Sequence, residues 1–450
     1  MSDNKIIELT PFRADLTRAL ARRGERLLAA PDLADEVAAL EPLEAYYIVR
    51  EIGLDQSLPI LLQLSPEQLE AGVDLDCWSR YDFAPDSLDE WLSAFALAGP
   101  EALAQGFFAL DYVVQLLFLA QTVTVYDPDM DEVPSQDEED EDAPVRAMTP
   151  DGFYLLELKS QLAFRTHPFT VLDALYQYDL TATHQLLSEV RVDLPSQIEE
   201  EALRFRNGRM QDIGFVTPEE ADILFSRPGP QQPLARPEQR LESPVSRVPS
   251  VYAVPFTDST LLQQALSLIN DQEGLARLEQ ELVWVINSAI IAYGEKTQDT
   301  KQITDIAERV RDTICLGLES LIARQEPQLP LAGPEAVARA ADLLALRYMS
   351  DLFRHGFAAT QGLQQEARRA LQEPAFRAWY HLADTEQSEE SGDRLQRAFV
   401  AGLLGRHPLR SGFDLAHPEA VKAFASLADI DVAHLRLKHL LRQIGLHSLS

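Results

Sequence analysis

The sequence predicts a mainly α-helical protein, with an N-terminal superhelical array of short helices, a small β-hairpin, and a C-terminal helical bundle. Three observations carry that expectation. Apolar residues recur at helical spacing along most of the chain, as at Phe12, Leu16, Leu20 and Leu27. Helix-start chemistry repeats, with Ser or Thr before Pro and Glu at Ser65-Pro66-Glu67-Gln68 and Thr217-Pro218-Glu219-Glu220. β-Branched alternation is confined to a short stretch at Thr122-Val-Thr-Val-Tyr126.

In chain order, Thr10 and Pro11 open a first helix that carries five arginines against Asp15 and Glu25. From Asp35 onward the breaks come quickly. Leu40-Glu-Pro42-Leu43 starts a helix through Ile52, Gly53 ends it, Gln56 to Leu64 forms another, and Ser65 with Gln68 caps a third by a reciprocal capping box. Helices of about ten residues are marginal alone and must bury their stripes on one another. A buried helix follows near Ala102 to Ala120. The strand Thr122 to Tyr126 then pairs with Phe153 to Leu158 in a hairpin closed by a long acidic loop, with Pro150-Asp151-Gly152 as a turn. Helices resume at Pro168 to Tyr178, Ala182 to Val190 and Pro195 to Gln211. Prolines at 228, 230, 233, 237, 244, 249 and 255 favour an extended connector. Longer helical patterns fill the remainder.

The domains expected are therefore residues 1–126 as an acidic helical array, 127–158 as acidic loop and β-hairpin, and 159–227 as a second helical segment packing with the first. A proline-rich linker at 228–256 and a C-terminal helical domain at 257–450 complete the chain. Distant echoes, Arg80 and Asp82 before Trp91 and Arg209 and Asp212 before Phe225, are compatible with an internal duplication.

Charge separates the two ends of the chain. Residues 35–142 hold 26 Asp and Glu against Arg50 and Arg80 alone, so 24 of the 33 net negative charges fall there. Residues 257–450 carry only −6. A pI near 4.6 opposes binding to phosphate backbones and anionic membrane surfaces, so neither nucleic acid nor a lipid surface is an expected partner. Phe107 to Tyr126 approaches the length of a membrane span, but Asp111, Gln115 and Gln121 interrupt it and no flanking Lys or Arg orients it. It reads as a core element. The N-terminus has no apolar stretch of secretory type, and Cys77 and Cys315 lie 238 residues apart without metal-ligand spacing. A reducing cytoplasm is the expected compartment.

The phrase LEPLEAYYIVREIGLDQSLPILLQLSPEQLEAGVDLDCW resembles the short-helix repeats in the cytoplasmic N-terminal domain of bacterial magnesium transporters. Over its whole length the chain more closely resembles an uncharacterised bacterial family of soluble helical proteins. The shared elements are LDxW at Leu75 to Trp78, TPDGxYxLE at Thr149 to Glu157, the helix EEEALRFRNGRMQDIGF at Glu199 to Phe215, and TICLGLESL at Thr313 to Leu321. That second resemblance implies a helical domain and no activity. The first implies a regulatory module responding to divalent cations.

Chemistry is sparsely marked. Asp127, Asp129, Asp131 and Glu138 match positions 1, 3, 5 and 12 of a calcium loop, although Glu132 stands where the turn glycine belongs and Pro134 follows. They are the candidate metal ligands; no other cofactor is expected. His434 and His439 fall on different faces of a helix, the cysteines read as packed thiols, and neither GxGxxG nor a Walker motif occurs. No catalytic residue is assigned. The function expected is that of an interaction or scaffold protein whose acidic surface meets a basic protein partner. Two alternatives are a cation-sensing module and an enzyme with dispersed acids, such as Asp82 or Asp212, in a cleft between the halves.

Overall fold

A computed structural model describes residues 23–133, 144–159, 164–228, 260–294, 300–381, 391–414 and 420–446. The described chain is mainly helical. Its contacts form two compact units, one within residues 15–215 and the other within 216–293 and 301–450. That division falls just ahead of the expected connector at 228–256, which apart from Pro228 lies outside the described residues.

The N-terminal unit begins with short helices α1 (Leu33–Ala38), α2 (Pro42–Ile52), α3 (Leu58–Leu61) and α4 (Pro66–Asp76). Proline stands in the first turn of α2, α3 and α4, where its missing N–H leaves no hydrogen bond unmade. Gly53 closes α2 at φ +94°, a conformation open to residues without a β-carbon. The capping box of α4 forms as expected: Gln68 N–H donates to Ser65 Oγ and Ser65 N–H to Gln68 Oε1. Gln68 does more. Its Nε2 donates to the carbonyls of Val37 and Leu40, both at 2.8 Å, tying the C-terminal end of α1 to the start of α4.

A two-residue ribbon, β1 (Trp78–Ser79) with β2 (Asp82–Phe83), leads to α5 (Pro85–Ala96), α6 (Pro100–Phe108) and α7 (Tyr112–Thr122). The single buried helix expected near Ala102 to Ala120 is thus two helices, bent by 116°. Asp111 makes the break, because its carboxylate accepts the N–H groups of Val113 and Val114 and caps α7. Among the described residues no single helix is long and apolar enough to cross a membrane.

The expected hairpin is instead a three-stranded antiparallel sheet in the order β3-β5-β4, from β3 (Val123–Tyr126), β4 (Arg146–Met148) and β5 (Leu155–Leu158). Tyr126 and Met148 both pair with Leu155, so one end of each strand lies side by side. Helices α8 (Pro168–Tyr178), α9 (Leu180–Val192) and α10 (Pro195–Asp212) complete the unit around a core that includes Tyr46, Trp91, Phe107 and Phe118.

In the C-terminal unit, α11 (Pro218–Ile223), with its own Thr217 to Glu220 capping box, packs on α13 (Gln272–Tyr293) after the short α12 (Leu261–Leu266). Then come α14 (Thr300–Gln325), α15 (Pro334–Leu346), α16 (Met349–Gln372), α17 (Pro374–His381), α18 (Ser391–Leu404) and α19 (Leu427–Gln443). Helices α14 and α16 touch backbone to backbone at two glycines. A β-carbon on Gly317 would collide with the Leu352 carbonyl, and one on Gly356 with the Thr313 carbonyl. Two glutamates, buried Glu281 and half-buried Glu319, each accept a backbone N–H beside a helix start: Glu281 from Met349 of α16, and Glu319 from Leu427 of α19. Phe225 sits edge-on to Tyr293, Phe353 and Phe357 and stacks on the buried His407 at 3.8 Å between ring centroids.

Candidate interaction site

Three of the four sequence-nominated acids come together in one turn directly after β3; Glu138 lies outside the described residues. Asp127 Oδ1 accepts the N–H of Asp129 at 3.0 Å, and Asp131 Oδ2 accepts that of Asp127 at 2.8 Å. The carboxylates therefore build the turn itself. Arg191 on α9 then grips Asp131 through Nε at 2.7 Å and Nη2 at 2.9 Å. This forked pair, with the Asp127 N–H behind it, draws the Asp131 carboxyl down to about 2. Any cation placed here would compete with the Arg191 guanidinium. Among the described residues no group of three or more His, Cys, Asp or Glu gathers as a metal site.

Seven positions before Arg191, and so on the same face of α9, stands His184. Its Nδ1 lies 3.3 Å from Asp151 Oδ2 and its Nε2 3.4 Å from the Tyr154 hydroxyl. Thr149 organises the same loop: its hydroxyl donates to Asp151 Oδ1 at 2.6 Å, its N–H to the Tyr154 carbonyl, and Oγ1 accepts the Tyr154 N–H. The Phe153 N–H adds a bond to Asp151 Oδ1 at 3.1 Å. Partial burial raises the Asp151 carboxyl, but Thr149, the Phe153 N–H and His184 together leave it below its ordinary value. Tyr176 is buried against this cluster, and burial with the Asp151 charge pushes its phenol well up.

Both ring nitrogens of His184 are thus engaged, which makes the imidazole a strut for the Thr149 to Tyr154 loop rather than an open base. The strut displays Phe153. That ring is 58% exposed and meets His184 edge-on, with centroids 4.9 Å apart. Met148, at the end of β4, and Met130, within the acidic turn, are 50% and 77% exposed. The TPDGFY wording marks the turn in the sequence, but nothing in the sequence points to His184 as its partner, because their separation is tertiary.

A second polar cluster joins two other sequence elements, LDxW and the RFRNGRM helix. Arg209 on α10 donates to both oxygens of the buried Asp74, at 2.8 and 3.0 Å, and reaches Asp111 at 3.0 Å. Arg206 donates from Nε to the Asp74 carbonyl at 3.0 Å, near the end of α4, and lies over the Trp78 ring. One turn of α10 therefore serves the end of one helix and the start of another, with cation near the negative pole of α4. Burial raises the Asp74 carboxyl above its ordinary value even against these arginines. Asp76 stays between Tyr46, Trp91 and Arg50, with Tyr46 Oη donating at 2.5 Å and Trp91 Nε1 at 3.0 Å. Of the acids proposed for an enzyme, Asp82 and Asp212 are exposed and lie outside both clusters. Cys77 is buried, and burial lifts its thiol far from the reactive range.

No curated protein matches the chain, a magnesium transporter included, and no solved structure does. One family model, that of a family of unknown function, matches residues 4–446 and so takes in both units, the acidic turn and the Asp74 cluster; the chain belongs to this family, DUF6178.

Proposed function

We propose that the chain is a helical interaction protein that offers the acidic surface of its N-terminal unit to a basic protein partner. The observation that carries this reading is where the arginines go. Arg50 is drawn to buried Asp76, Arg206 and Arg209 to buried Asp74, and Arg191 to Asp131. Within residues 35–142 the sequence holds one further base, Arg80, against surface acids that include Asp35, Glu36, Asp55, Asp86 and Glu101, all exposed. A field of one sign attracts basic partners at long range and speeds their encounter.

Fluorescence anisotropy of a labelled 16-residue peptide of alternating lysine and leucine character, titrated with the full chain, tests the reading. Saturable binding is expected at 0.05 M salt and strong weakening at 0.3 M, as the Debye length falls below about 10 Å. Equal binding of a neutral peptide with the same apolar content, or no binding at low salt, overturns it.

A further inference from the structure

Resting on that reading, we infer that the docking point is the end of the three-stranded sheet where the acidic turn begins, and that it takes a basic segment carrying an aromatic or long apolar side chain. The register brings Tyr126, Leu155 and Met148 abreast at this end. Phe153 is two residues from Leu155, and the turn carrying Met130 follows Tyr126 directly. Single exposed apolar side chains are ordinary on any protein surface; three large ones at one sheet end, at 50% to 77% exposure, form a patch suited to a partner.

The patch is stiff at its centre. Asp151, Thr149 and His184 fix the backbone on both sides of Phe153, so an incoming side chain meets a ring already in place and little ordering entropy remains to be lost. An exposed aromatic on a preset turn has the character of an interface anchor. Charge then selects the partner. Asp127, Asp129, Asp131 and Glu132 follow Tyr126 with no base among them, and Arg191 on α9 is held by Asp131. Lysine or arginine beside the apolar anchor meets that charge and can also rest on the open face of Phe153. A neutral or acidic segment with the same anchor would leave the acids unmatched and be repelled.

A random 16-residue peptide display library selected on the immobilised full chain provides the test, with Phe153→Ala and Met148→Ala as variants. Both side chains are half exposed or more, so thermal melting should show both variants folded as the parent is. Enriched peptides with net positive charge and an apolar anchor, whose affinity drops at least tenfold in either variant, are the expected result. Basic peptides that bind both variants as they bind the parent would overturn the docking point while leaving the acidic-surface reading in place. Enrichment of neutral or acidic peptides, or of none, would overturn that reading as well.

Discussion

Between residues 33 and 122 no described helix of the N-terminal unit exceeds 12 residues, whereas α13, α14 and α16 of the C-terminal unit run 22, 26 and 24 residues. The two packings bury different things as a result. Short helices bring many ends into the core, and each end carries unsatisfied N–H or C=O groups and a pole of the helix dipole. Gln68, Asp111, Arg206 and Arg209 meet those needs at or near the ends of α1, α4 and α7. Long helices bring mostly flanks into the core, so closeness of approach decides the packing, and Gly317 against Gly356 sets it. Both units bury charge at helix ends, as Asp74 and Glu281 do, but the C-terminal unit adds bare backbone contact between helix flanks, which answers its lower ratio of ends to sides.

If that contrast is right, substitutions should hurt for different reasons in the two units. Gly356→Leu should have the largest effect, because the collision is with the Thr313 carbonyl and not with a side chain that can turn aside. A loss of at least about 3 kcal/mol is expected, near the upper end for overpacking. Chemical denaturation followed by circular dichroism measures it; a wild-type midpoint would show that the helices part at no cost.

Asp74→Ala should come next, at about 3 kcal/mol, since buried Arg206 loses the carboxylate beside it and Arg209 keeps only Asp111 and Glu70. The double variant Asp74→Leu with Arg209→Met sharpens the comparison. It should recover part of the loss, since Arg206 stays buried without the Asp74 charge, and no recovery would mean that the pair contributes more than charge balance.

His407 gives a pH test of the C-terminal unit. Burial, then the Arg406 charge, lowers its pKa from 6.5 to about 4, against the opposing pull of Asp222. An unfolded chain takes up this proton near 6.5 and the folded chain only near 4, so the contribution is complete above 6.5 and is lost as pH falls between those values. The loss is on the order of 3 kcal/mol at 1.36 kcal/mol per pKa unit. Carboxyls whose pKa burial raises, such as buried Asp312 and half-buried Glu319, act in the opposite direction. Comparing the parent with His407→Phe cancels them. The difference in melting temperature should change between pH 7 and pH 4.5, and a constant difference would refute the assignment.

The smallest effect is a gain. Gly208 lies within α10, and a β-carbon there meets nothing within 4 Å, so Gly208→Ala should add roughly 0.5 to 1 kcal/mol. Thermal melting decides it, and any loss would mean that this helix needs its glycine as α16 needs Gly356.

Local chemistry was legible before any fold was in view. The Ser65 and Thr217 capping boxes, the proline starts and the Gly53 stop each depend on residues within four positions, and each appears where expected. The break at Asp111 was misread because an apolar run hides a cap when its carboxylate could also be a buried interruption. The third strand, Arg146 to Met148, is too short to carry a period. His184, Arg209 and the two crossing glycines are spoken for by residues 33, 135 and 39 positions away, and no spacing rule reaches that far.

The span between Asp74 and Arg209 also has a meaning in time. A ribosome adds about 5 to 20 residues per second, so Asp74 is made some 7 to 27 s before the arginine that neutralises it, 135 residues later. Until then the loops and short helices between them have a carboxylate with no counterion to close on. The packing around Asp74 is therefore complete only once α10 has been made.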